Sequence, residues 1–252
     1  MENKISVVIN TYNASQHLRR VLEALTGFDE IVVCDMESTD NTRDIAAEFG
    51  CRIVNFPKGD HTICEPARDF AIHSATYPWV LVVDADEIVP SGLRDYLYDA
   101  IADGTFEDAF AIPRTNCFMG ERFKENTDYQ LRFFLKDRAT WPPFVHSQPK
   151  IDGKIVRIPP RKELCLQHLD DPTIAKRIDK LNTYTDNEVV RRATKHFGFF
   201  NLFFRPVWFF IRTYFFKGGI RHGRKGIVKS YFSAIYQMVL IAKIMERQEC
   251  DK

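Results

Sequence analysis

Short apolar segments alternate with helical segments through roughly the first 100 residues of the chain. Each apolar segment has the length and the β-branched content of a strand buried on both faces. Helical spacing of apolar residues, or residues that favour helix caps, follows each one. The strands are predicted at Ile5–Ile9, Glu30–Cys34, Arg52–Phe56 and Trp79–Val83. This order predicts an α/β fold with a mostly parallel sheet, right-handed crossovers and helices on both faces.

The pattern changes after Asp103 and Gly104. Two more strands are predicted at Ala109–Pro113 and Tyr129–Leu135, and a short edge strand at Lys154–Ile158 before a Pro-Pro pair. From Pro172 onward the spacing of apolar residues is helical. We therefore predict an α/β domain over residues 1–168 and a helical C-terminal extension over residues 169–252.

Charge is distributed unevenly along the chain, although the net charge is only +1. Eleven Lys or Arg residues and no Asp or Glu lie between Val189 and Met245, so all 34 acidic residues lie elsewhere. An acidic body with a basic tail indicates two surfaces with different partners.

The six cysteines show no C-x-x-C pair and no zinc-like spacing, which favours a reduced, cytoplasmic protein. The first residues enter a predicted strand directly, without the pattern of a signal peptide. Arg205 and Arg212 interrupt the longest apolar stretches, so we expect no membrane-spanning helix.

Carboxylates follow the predicted strand at Trp79–Val83: Asp84, Asp86 and Glu87 arrive within four positions. Ligands of open α/β sheets bind just outside the carboxyl ends of the strands. Alternate side chains of an extended segment share a face, so Asp84 and Asp86 can point to the same place. Two such oxygen donors suit Mg²⁺ or Mn²⁺, often shared with substrate phosphates. Taken alone, the three acids fit a metal site or a solvated acidic turn equally well.

Polar residues also follow two other predicted strands, at Thr11–Asn13 and Asp35–Thr42. Since these strand ends share one edge of the sheet, a nucleotide or phosphate site is plausible there. The patterns G-x-G-x-x-G and G-x-x-x-x-G-K-[ST] do not occur in the sequence. The common dinucleotide and P-loop sites are therefore not predicted.

Four short motifs occur in a fixed order. They read I-S-V-V-I-N-T-Y-N from Ile5, V-C-D-M-E-S-T-D-N-T from Val33, P-A-R-D from Pro66 and D-A-D-E from Asp84. Their order and spacing resemble glycosyltransferase family 2. Three later segments resemble, more loosely, a bacterial branch that includes glycosyltransferases of lipopolysaccharide core and other surface glycans. They are residues 128–134, residues 145–146 and the glycine-rich basic stretch 218–226.

The resemblance implies a Rossmann-like, nucleotide-sugar-binding domain of the GT-A type that uses Mg²⁺ or Mn²⁺ and inverts the anomeric centre. It implies a nucleoside pocket in the motif from Ile5, a base contact in the motif from Val33 and a nucleotide-facing arginine in P-A-R-D. The donor-binding residues carried over in this way are Thr11, Tyr12, Asn13, Asp35, Arg68, Asp84 and Ala85.

The same resemblance makes Asp84 and Asp86 the D-x-D element, with Asp86 the better candidate for the metal. Glu37 departs from the small residue often found in the motif from Val33, which leaves the preferred base open. Asp35 and Asp40 could both cap the following helix. We expect Asp40 to cap and Asp35 to bind the base.

Glycosyl transfer also needs a general base for the acceptor hydroxyl. We predict Asp128, just before the strand at Tyr129, with Glu121 and Glu125 as competitors. An exposed loop acid is the alternative for Asp128. His146, in a rigid Pro-bearing loop, is a predicted further metal ligand, although a lone histidine is more often structural.

The C-terminal extension is rich in aromatic and basic residues. Eleven aromatics lie between Phe197 and Phe216, interrupted by Arg205, Pro206 and Arg212. We expect Pro206 in the first turn of a helix, and a further apolar helix at Lys229–Ile244. This composition predicts peripheral contact with anionic membrane. The alternative is a helical subdomain that packs its aromatics on the α/β domain, and no nucleic-acid motif accompanies the basic residues.

Together these features predict an inverting, metal-dependent transferase with a nucleotide-diphosphate sugar as donor. We expect a glycolipid or surface-polysaccharide acceptor, such as lipopolysaccharide core, at the cytosolic face of the inner membrane. Two alternatives stay open on the sequence: a sugar-phosphate nucleotidyltransferase, and a non-catalytic glycan-binding or membrane scaffold protein.

Overall fold

A computed structural model describes residues 3–60, 64–102, 107–115, 117–123, 128–143, 148–169, 173–192 and 197–250. The chain divides into two compact units. The first comprises Met1–Thr115 and Thr127–Leu169, and the second comprises Asn116–Asn126 and Asp170–Lys252. The predicted division at 168/169 did not anticipate that residues 116–126 group with the helical unit.

The predicted alternation of strands and helices is present in the first unit. In chain order its elements are β1 (Ile5–Thr11), α1 (Ser15–Ala24), β2 (Glu30–Asp35), α2 (Thr42–Glu48), β3 (Arg52–Asn55), α3 (Glu65–Ser74), β4 (Trp79–Asp84), β5 (Glu87–Ile88) and α4 (Ser91–Ala102).

Short strands and then long helices follow. The strands are β6 (Ala109–Thr115), β7 (Cys117–Phe118), β8 (Glu121–Arg122), β9 (Asp128–Leu135), β10 (Ala139–Thr140), β11 (Lys150–Ile151), β12 (Ile155–Arg157) and β13 (Leu166–His168). The helices are α5 (Ile174–Arg191), α6 (Phe199–Ile211) and α7 (Gly223–Cys250), with a π-helical turn at Arg212–Phe216 and a 3₁₀ turn at Gly219–His222.

The main sheet has the strand order β3-β2-β1-β4-β9-β6-β13-β5, and β12 also pairs with β6. The four strands β3, β2, β1 and β4 are parallel, whereas β9 runs antiparallel between β4 and β6. The predicted α/β, mostly parallel GT-A-like sheet is therefore confirmed as a mixed sheet.

Apolar side chains cover both faces of this sheet. On one face, Leu18, Val21 and Leu22 of α1 join buried residues of α2 and α4, and on the other face α3 contributes Ala71 and Ile72. Full burial of such a leucine or valine contributes about 1.5–3 kcal/mol. The sheet is consequently buried on both sides, as the apolar strand segments predicted.

Strand register brings distant polar residues to one edge of the sheet. Asn10 pairs with Asp84, and Thr11 with Asp35, at the carboxyl ends of parallel strands. Because β9 is antiparallel, its first residue, Asp128, lies at the same edge, opposite Arg114 of β6. Pairing of β13 with β5 then sets His168 opposite Glu87.

The second unit is built by packing of α5 and α6 against α7 and by the β7–β8 hairpin. The ring of Phe118 lies 6.2 Å from that of Phe232, and the ring of Phe123 stacks on His222 at 3.9 Å. These hairpin contacts explain why residues 116–126 belong to this unit, and a short hairpin carries too little periodicity to predict them.

Two features of the second unit bear on the predictions about its helices. Pro206 lies inside α6 and not in its first turn, so that prediction was wrong. The prolyl φ is compatible with a helix, and the loss of one hydrogen bond does not end α6 here. Glycines separate α6 from α7: Gly218 has φ +70°, and a Cβ at Gly226 would clash with the carbonyl oxygen of Gly219.

The stretch Gly219–Cys250 is long and apolar enough, by length and composition, to cross a membrane. We had expected no such helix. Its residues Leu240, Ile241 and Ile244 are buried, and Lys243 donates to Asp186 of α5 at 2.6 Å. These residues pack within the second unit, and 28% of the most apolar 18-residue window of the stretch is buried.

Candidate active site

A cavity of about 750 Å³ opens at the carboxyl edge of the sheet in the first unit. Its volume is in the range of small-molecule sites. Six predicted site residues line it: Tyr12, Asn13, Arg68, Asp84, Ala85 and Asp86. Residues that the sequence analysis did not select for the site also line it: Asn10, Ala14, Gln16, His17, Met36, Lys58, Cys64 and His168.

Asp84 is held by two arginines. Its Oδ1 accepts from Nη2 of Arg68 at 2.7 Å, and its Oδ2 accepts from Nη2 of Arg132 at 2.6 Å. Burial raises the pKa of Asp84, but the charges of Arg132 and Arg68 outweigh it and hold that pKa below its usual range. Asp84 therefore remains ionised with both oxygens engaged. Each oxygen keeps a second lone pair, and Asp84 also lines the cavity, so its predicted role as a metal ligand stays a prediction.

The ring of Trp141 packs against the guanidinium groups of Arg68 and Arg132. The guanidinium of Arg68 is 4.9 Å from the centre of its ring and that of Arg132 is 5.6 Å away. The backbone N–H of Trp141 donates to Asp69 at 2.9 Å, which fixes the loop that carries the ring. Stacking of this kind stabilises a planar guanidinium in a fixed orientation.

Glu87 links the end of β4 to Asp128. Its side chain is fully buried, accepts from the backbone N–H of Asp84 at 3.2 Å, and accepts from Arg114 at 3.1 Å. Arg114 also donates to Asp128 at 2.9 Å. Burial and the neighbouring charge of Asp84 raise the pKa of Glu87. Glu87 thus supports the turn after β4, and Arg114 joins the predicted base to the D-x-D segment.

Asp128 is half-exposed, as a group that meets a second substrate must be. Its Oδ2 accepts from both Arg114 and Nε2 of Gln130, the latter at 2.6 Å. Its predicted role as general base remains a prediction. Of the competitors, Glu121 is paired with His222 at 2.6 Å and belongs to the second unit, and Glu125 lies outside the described residues.

Asp86 and His168 form a pair in the cavity wall. Their Oδ2 and Nε2 atoms are 3.3 Å apart, and the backbone N–H of Leu169 donates to the carbonyl of Asp86 at 2.7 Å. A carboxylate with an imidazole is a donor set that suits a divalent metal such as Mn²⁺.

Within the described ranges, no group of three or more His, Cys, Asp or Glu side chains is arranged for a metal. A cation at Asp86 and His168 would therefore complete its shell with water or substrate oxygens, as Mg²⁺ sites commonly do. The residues fit such an ion. His146, the predicted metal-binding histidine, lies outside the part of the chain that the structure describes.

Thr11 and Asp35 lie behind the cavity wall and do not line it. The carboxylate of Asp35 is fully buried and accepts from the hydroxyls of Thr11 at 2.9 Å and Ser38 at 2.6 Å. These bonds fix the loop after β2. The base contact predicted for Asp35 remains a prediction.

Asn13 and Tyr12 shape the front of the same loop region. Asn13 has φ +48°, and its side-chain oxygen accepts from the backbone N–H of Thr39 at 2.8 Å. The ring of Tyr12 is 48% exposed, and Nζ of Lys58 lies over it at 4.9 Å from its centre. An exposed ring beside the cavity is available for stacking on a base.

Glu37 occupies a position with φ +61°. Such a backbone favours glycine, and for another residue it is strained. This strain gives a physical reason for the small residue often found in the motif. In this chain the Glu37 carboxylate accepts a hydrogen bond from the backbone N–H of Lys58 at 3.3 Å.

Three further residues belong to the site although the sequence analysis gave them no role. They are His168 beside Asp86, Arg132 on Asp84 and Asn10 in the cavity wall. Both side-chain polar atoms of Asn10 are buried without a partner among the described residues, which suits contact with a ligand. Asn10 lies in the motif from Ile5 and Arg132 in the segment 128–134, but His168 ends β13, a strand of only three residues that pattern alone does not reveal.

Residues 6–151 match the protein family described as glycosyl transferase family 2. The lipopolysaccharide core biosynthesis glycosyltransferase LpsC of Rhizobium meliloti is 26% identical over 258 residues, which cover 96% of this chain and 92% of LpsC. An uncharacterized glycosyltransferase of Rickettsia typhi is 24% identical, with 96% of this chain and 87% of the relative covered.

A solved structure shares the fold. The mannosyltransferase PcManGT of Pyrobaculum calidifontis, in complex with GDP-Man and Mn²⁺, superimposes with a TM-score of 0.52 at 14% identity, covering 99% of this chain and 76% of that chain.

With its mixed, mostly parallel sheet and its D-x-D segment at the carboxyl edge, the chain belongs to glycosyl transferase family 2. It is a glycosyltransferase that transfers from a nucleotide sugar. This assignment decides against both alternatives left open by the sequence, the nucleotidyltransferase and the non-catalytic scaffold.

Proposed function

We propose that this glycosyltransferase uses Mg²⁺ or Mn²⁺ to transfer a sugar, with inversion, from a nucleotide-diphosphate sugar to a glycolipid or surface-polysaccharide acceptor. One observation carries the proposal. Asp86, His168 and Arg68 line a single cavity at the carboxyl edge of the sheet, so that a metal-binding pair and a cationic side chain face one ligand-sized space.

Asp86 and His168 would hold the divalent ion, and when bound that ion would stabilise negative charge on the departing diphosphate as a Lewis acid. Arg68 is 8% exposed and fixed by Asp84 and Trp141, so its charge is already oriented before a donor binds. The exposed ring of Tyr12 would stack on the nucleoside, and the amide of Asn10 would bond to a polar group of the donor.

Asp128 would accept the proton of the acceptor hydroxyl. The acceptor oxygen then forms a bond to the anomeric carbon while the bond from that carbon to the diphosphate oxygen breaks, and its electron pair leaves with the nucleotide diphosphate. Attack from the face opposite the leaving group inverts the anomeric centre. Arg114 and Gln130 orient Asp128 for this role.

The acceptor class is supported by likeness to LpsC, whose name places it in lipopolysaccharide core biosynthesis. A cytoplasmic location is supported by the six cysteines of the sequence, which show no C-x-x-C pair and no zinc-like spacing. Burial raises the pKa of Cys34 to about 12, which keeps this thiol protonated and unreactive.

The test is hydrolysis and transfer of nucleotide-diphosphate sugars, UDP-glucose and GDP-mannose among them, with and without Mn²⁺. We expect the wild-type protein to release nucleotide diphosphate only with the metal. Asp86→Asn should lose at least about 100-fold in rate, the scale of one lost electrostatic contribution to a transition state, and should unfold at the wild-type temperature.

Asp152→Asn is the matched control, because Asp152 is 92% exposed and its one ion pair among the described residues is with exposed Arg138 at 3.5 Å. It should turn over at the wild-type rate. Metal-independent turnover, or an Asp86→Asn protein as active as the control, would refute the metal assignment.

A further inference from the structure

The helix α6 exposes an unusually apolar surface. Leu202, Arg205, Pro206 and Phe209 are partly covered, whereas the other side of α6 is open. We define the aromatic face as the following side chains, each between 52% and 76% exposed: Phe199, Phe200, Phe203, Phe204, Val207, Trp208, Phe215 and Phe216.

The first six residues of the aromatic face stand at positions i, i+1, i+4, i+5, i+8 and i+9 of α6, so they share one side of the helix. Phe200 and Phe204 stack on each other at 6.2 Å, and Trp208 lies 6.1 Å from Phe216. The aromatic face is therefore continuous across the π-helical turn. Contiguous apolar surface of this kind marks an interaction site.

The opposite side of α6 packs against α7 within the second unit. Nε of Arg205 donates to Oε1 of Gln237 at 3.0 Å, and its guanidinium lies over the rings of Phe197 and Phe209. Gln237 is buried on α7. The anchored side explains why α6 holds its position with the aromatic face turned to solvent.

The basic residues around the aromatic face indicate which kind of partner it binds. From Val189 to Met245 the chain has eleven Lys or Arg and no Asp or Glu. Exposed Arg212, Arg221 and Arg224 lie in or just after the π-helical turn. Long basic side chains can extend towards anionic headgroups while rings enter the boundary with the acyl chains.

A second copy of the chain fits this surface less well. A symmetric dimer would bring the same basic set from both copies into one interface, and like charges repel. An anionic bilayer surface satisfies both the rings and the charges. Tryptophan and phenylalanine at one level beside arginines are also typical of helices that lie in a membrane interface.

We propose that the aromatic face of α6 inserts into the surface of an anionic lipid bilayer, with α6 lying in the plane of the interface. This inference rests on the second unit and does not depend on the proposed chemistry of the first. It adds a membrane-docking surface to a glycosyltransferase whose acceptor is proposed to be lipid-linked.

Trp208 provides a direct reporter. It is 52% exposed, whereas Trp79 and Trp141, the other tryptophans of the chain, are 4% and 5% exposed. Full-length protein is mixed with vesicles of phosphatidylcholine containing phosphatidylglycerol, or of phosphatidylcholine alone. We expect a shift of tryptophan emission to shorter wavelength and co-flotation with the anionic vesicles, both weakened by high salt. Trp208→Phe should abolish the emission shift while flotation persists.

The matched pair of variants are Phe200→Glu/Phe204→Glu on the aromatic face and Ile174→Glu/Ile178→Glu on α5. All four positions are exposed and lie in the second unit, and both variants add the same charge. We expect vesicle binding to fall at least about tenfold for the phenylalanine variant, because each glutamate replaces apolar area in the interface by a negative charge. The isoleucine variant and Phe200→Leu/Phe204→Leu should retain binding.

Three outcomes would overturn the proposal. They are a wild-type protein that stays unbound to anionic vesicles at low salt, equal loss of binding in the two glutamate variants, and retention on vesicles after an alkaline carbonate wash, which would indicate a spanning helix. A concentration-dependent dimer abolished by Phe200→Glu/Phe204→Glu, without lipid binding, would assign the face to a second copy instead. Donor hydrolysis by the same variants, expected at the wild-type rate, keeps this test separate from that of the proposed function.

Discussion

At the scale of single residues, the two aspartates of the D-x-D segment have different hydrogen-bond partners. Asp84 is buried against Arg68 and Arg132, and Asp86 is paired with His168 in the cavity wall. The sequence suggested that both acids would point to one metal. In the structure Asp84 binds two arginines and Asp86 lies beside a histidine, and the metal role predicted for both, with Asp86 the better candidate, stays a prediction.

The Asp84–Arg132 pair should be important for stability. Arg132 is 5% exposed, and two of its guanidinium nitrogens have no hydrogen-bond partner among the described residues. Replacing it in Arg132→Met leaves the buried charge of Asp84 with Arg68 alone. We expect the free energy of unfolding, measured by urea denaturation, to fall by about 3 kcal/mol.

The control for that change is Arg138→Met. Arg138 forms an exposed pair with Asp152, and exposed pairs contribute little, so the loss should stay below about 0.5 kcal/mol. Equal losses in the two variants would show that burial does not distinguish the pairs.

The proposed base gives a kinetic prediction. Asp128→Asn keeps the bonds that the Asp128 oxygen accepts from Arg114 and Gln130, but an amide cannot accept the acceptor proton. We expect kcat to fall by about 10²–10⁴ with the KM for the donor unchanged. Steady-state kinetics with varied donor measures both, and a parallel loss in kcat and donor affinity would indicate a structural role.

At the scale of elements, the site depends on loops that join strand ends to helix starts. Asp40, which we expect to cap one helix, accepts hydrogen bonds from the first residues of two helices. Its carboxylate accepts from the backbone N–H of Ser15 at the start of α1 at 3.1 Å and from that of Thr42 at the start of α2 at 3.0 Å. It thus joins the loop after β1 to the loop after β2 behind the cavity.

The Asp40 bonds predict a pH-dependent contribution to stability. Burial slightly opposes ionisation, but hydrogen bonds from Thr42 and Ser15 lower the pKa of Asp40 from 3.8 to about 2. A lowered folded-state pKa gives stability that is complete above the unfolded value and is lost as the pH falls towards 2. Asp40→Ala should cost about 1 kcal/mol at pH 7.

The difference between wild type and Asp40→Ala should shrink between pH 4 and pH 2, as measured by thermal or urea unfolding across that range. Asp44→Ala, at an exposed acidic position in the first turn of α2, is the control. A difference that is constant with pH would mean that the capping bonds do not depend on the ionised carboxylate.

Strand and helix assignments were most accurate where the pattern is longest. The four parallel strands and the helices between them were predicted from apolar runs, and β9 was predicted at almost its full length. The two- and three-residue strands β5 and β13 were missed, because such short segments carry no periodicity. Yet their pairing sets His168 beside Asp86.

At the scale of the whole molecule, the uneven charge along the sequence corresponds to two compact units of different character. The acidic residues provide the site chemistry of the first unit. The basic and aromatic residues of the second accompany a helix whose apolar side is exposed. Of the aromatics in this stretch, Phe209 and Phe210 are partly covered and the aromatic face is open, and membrane contact of that face is a proposal.

Local pattern and motif order were enough to determine the family, the parallel core of the sheet and the edge at which the cavity opens. Those properties follow from residues near one another in the chain, whose spacing fixes strands, helices and turns. Pairing between distant segments was decided only by the tertiary structure. In the folded chain two arginines bind Asp84, and a histidine 82 positions later in the sequence lies beside Asp86. Arg114 binds both Asp128 and Glu87 and so connects them. Strand register and burial determine those contacts, and neither is encoded in the spacing of any single motif.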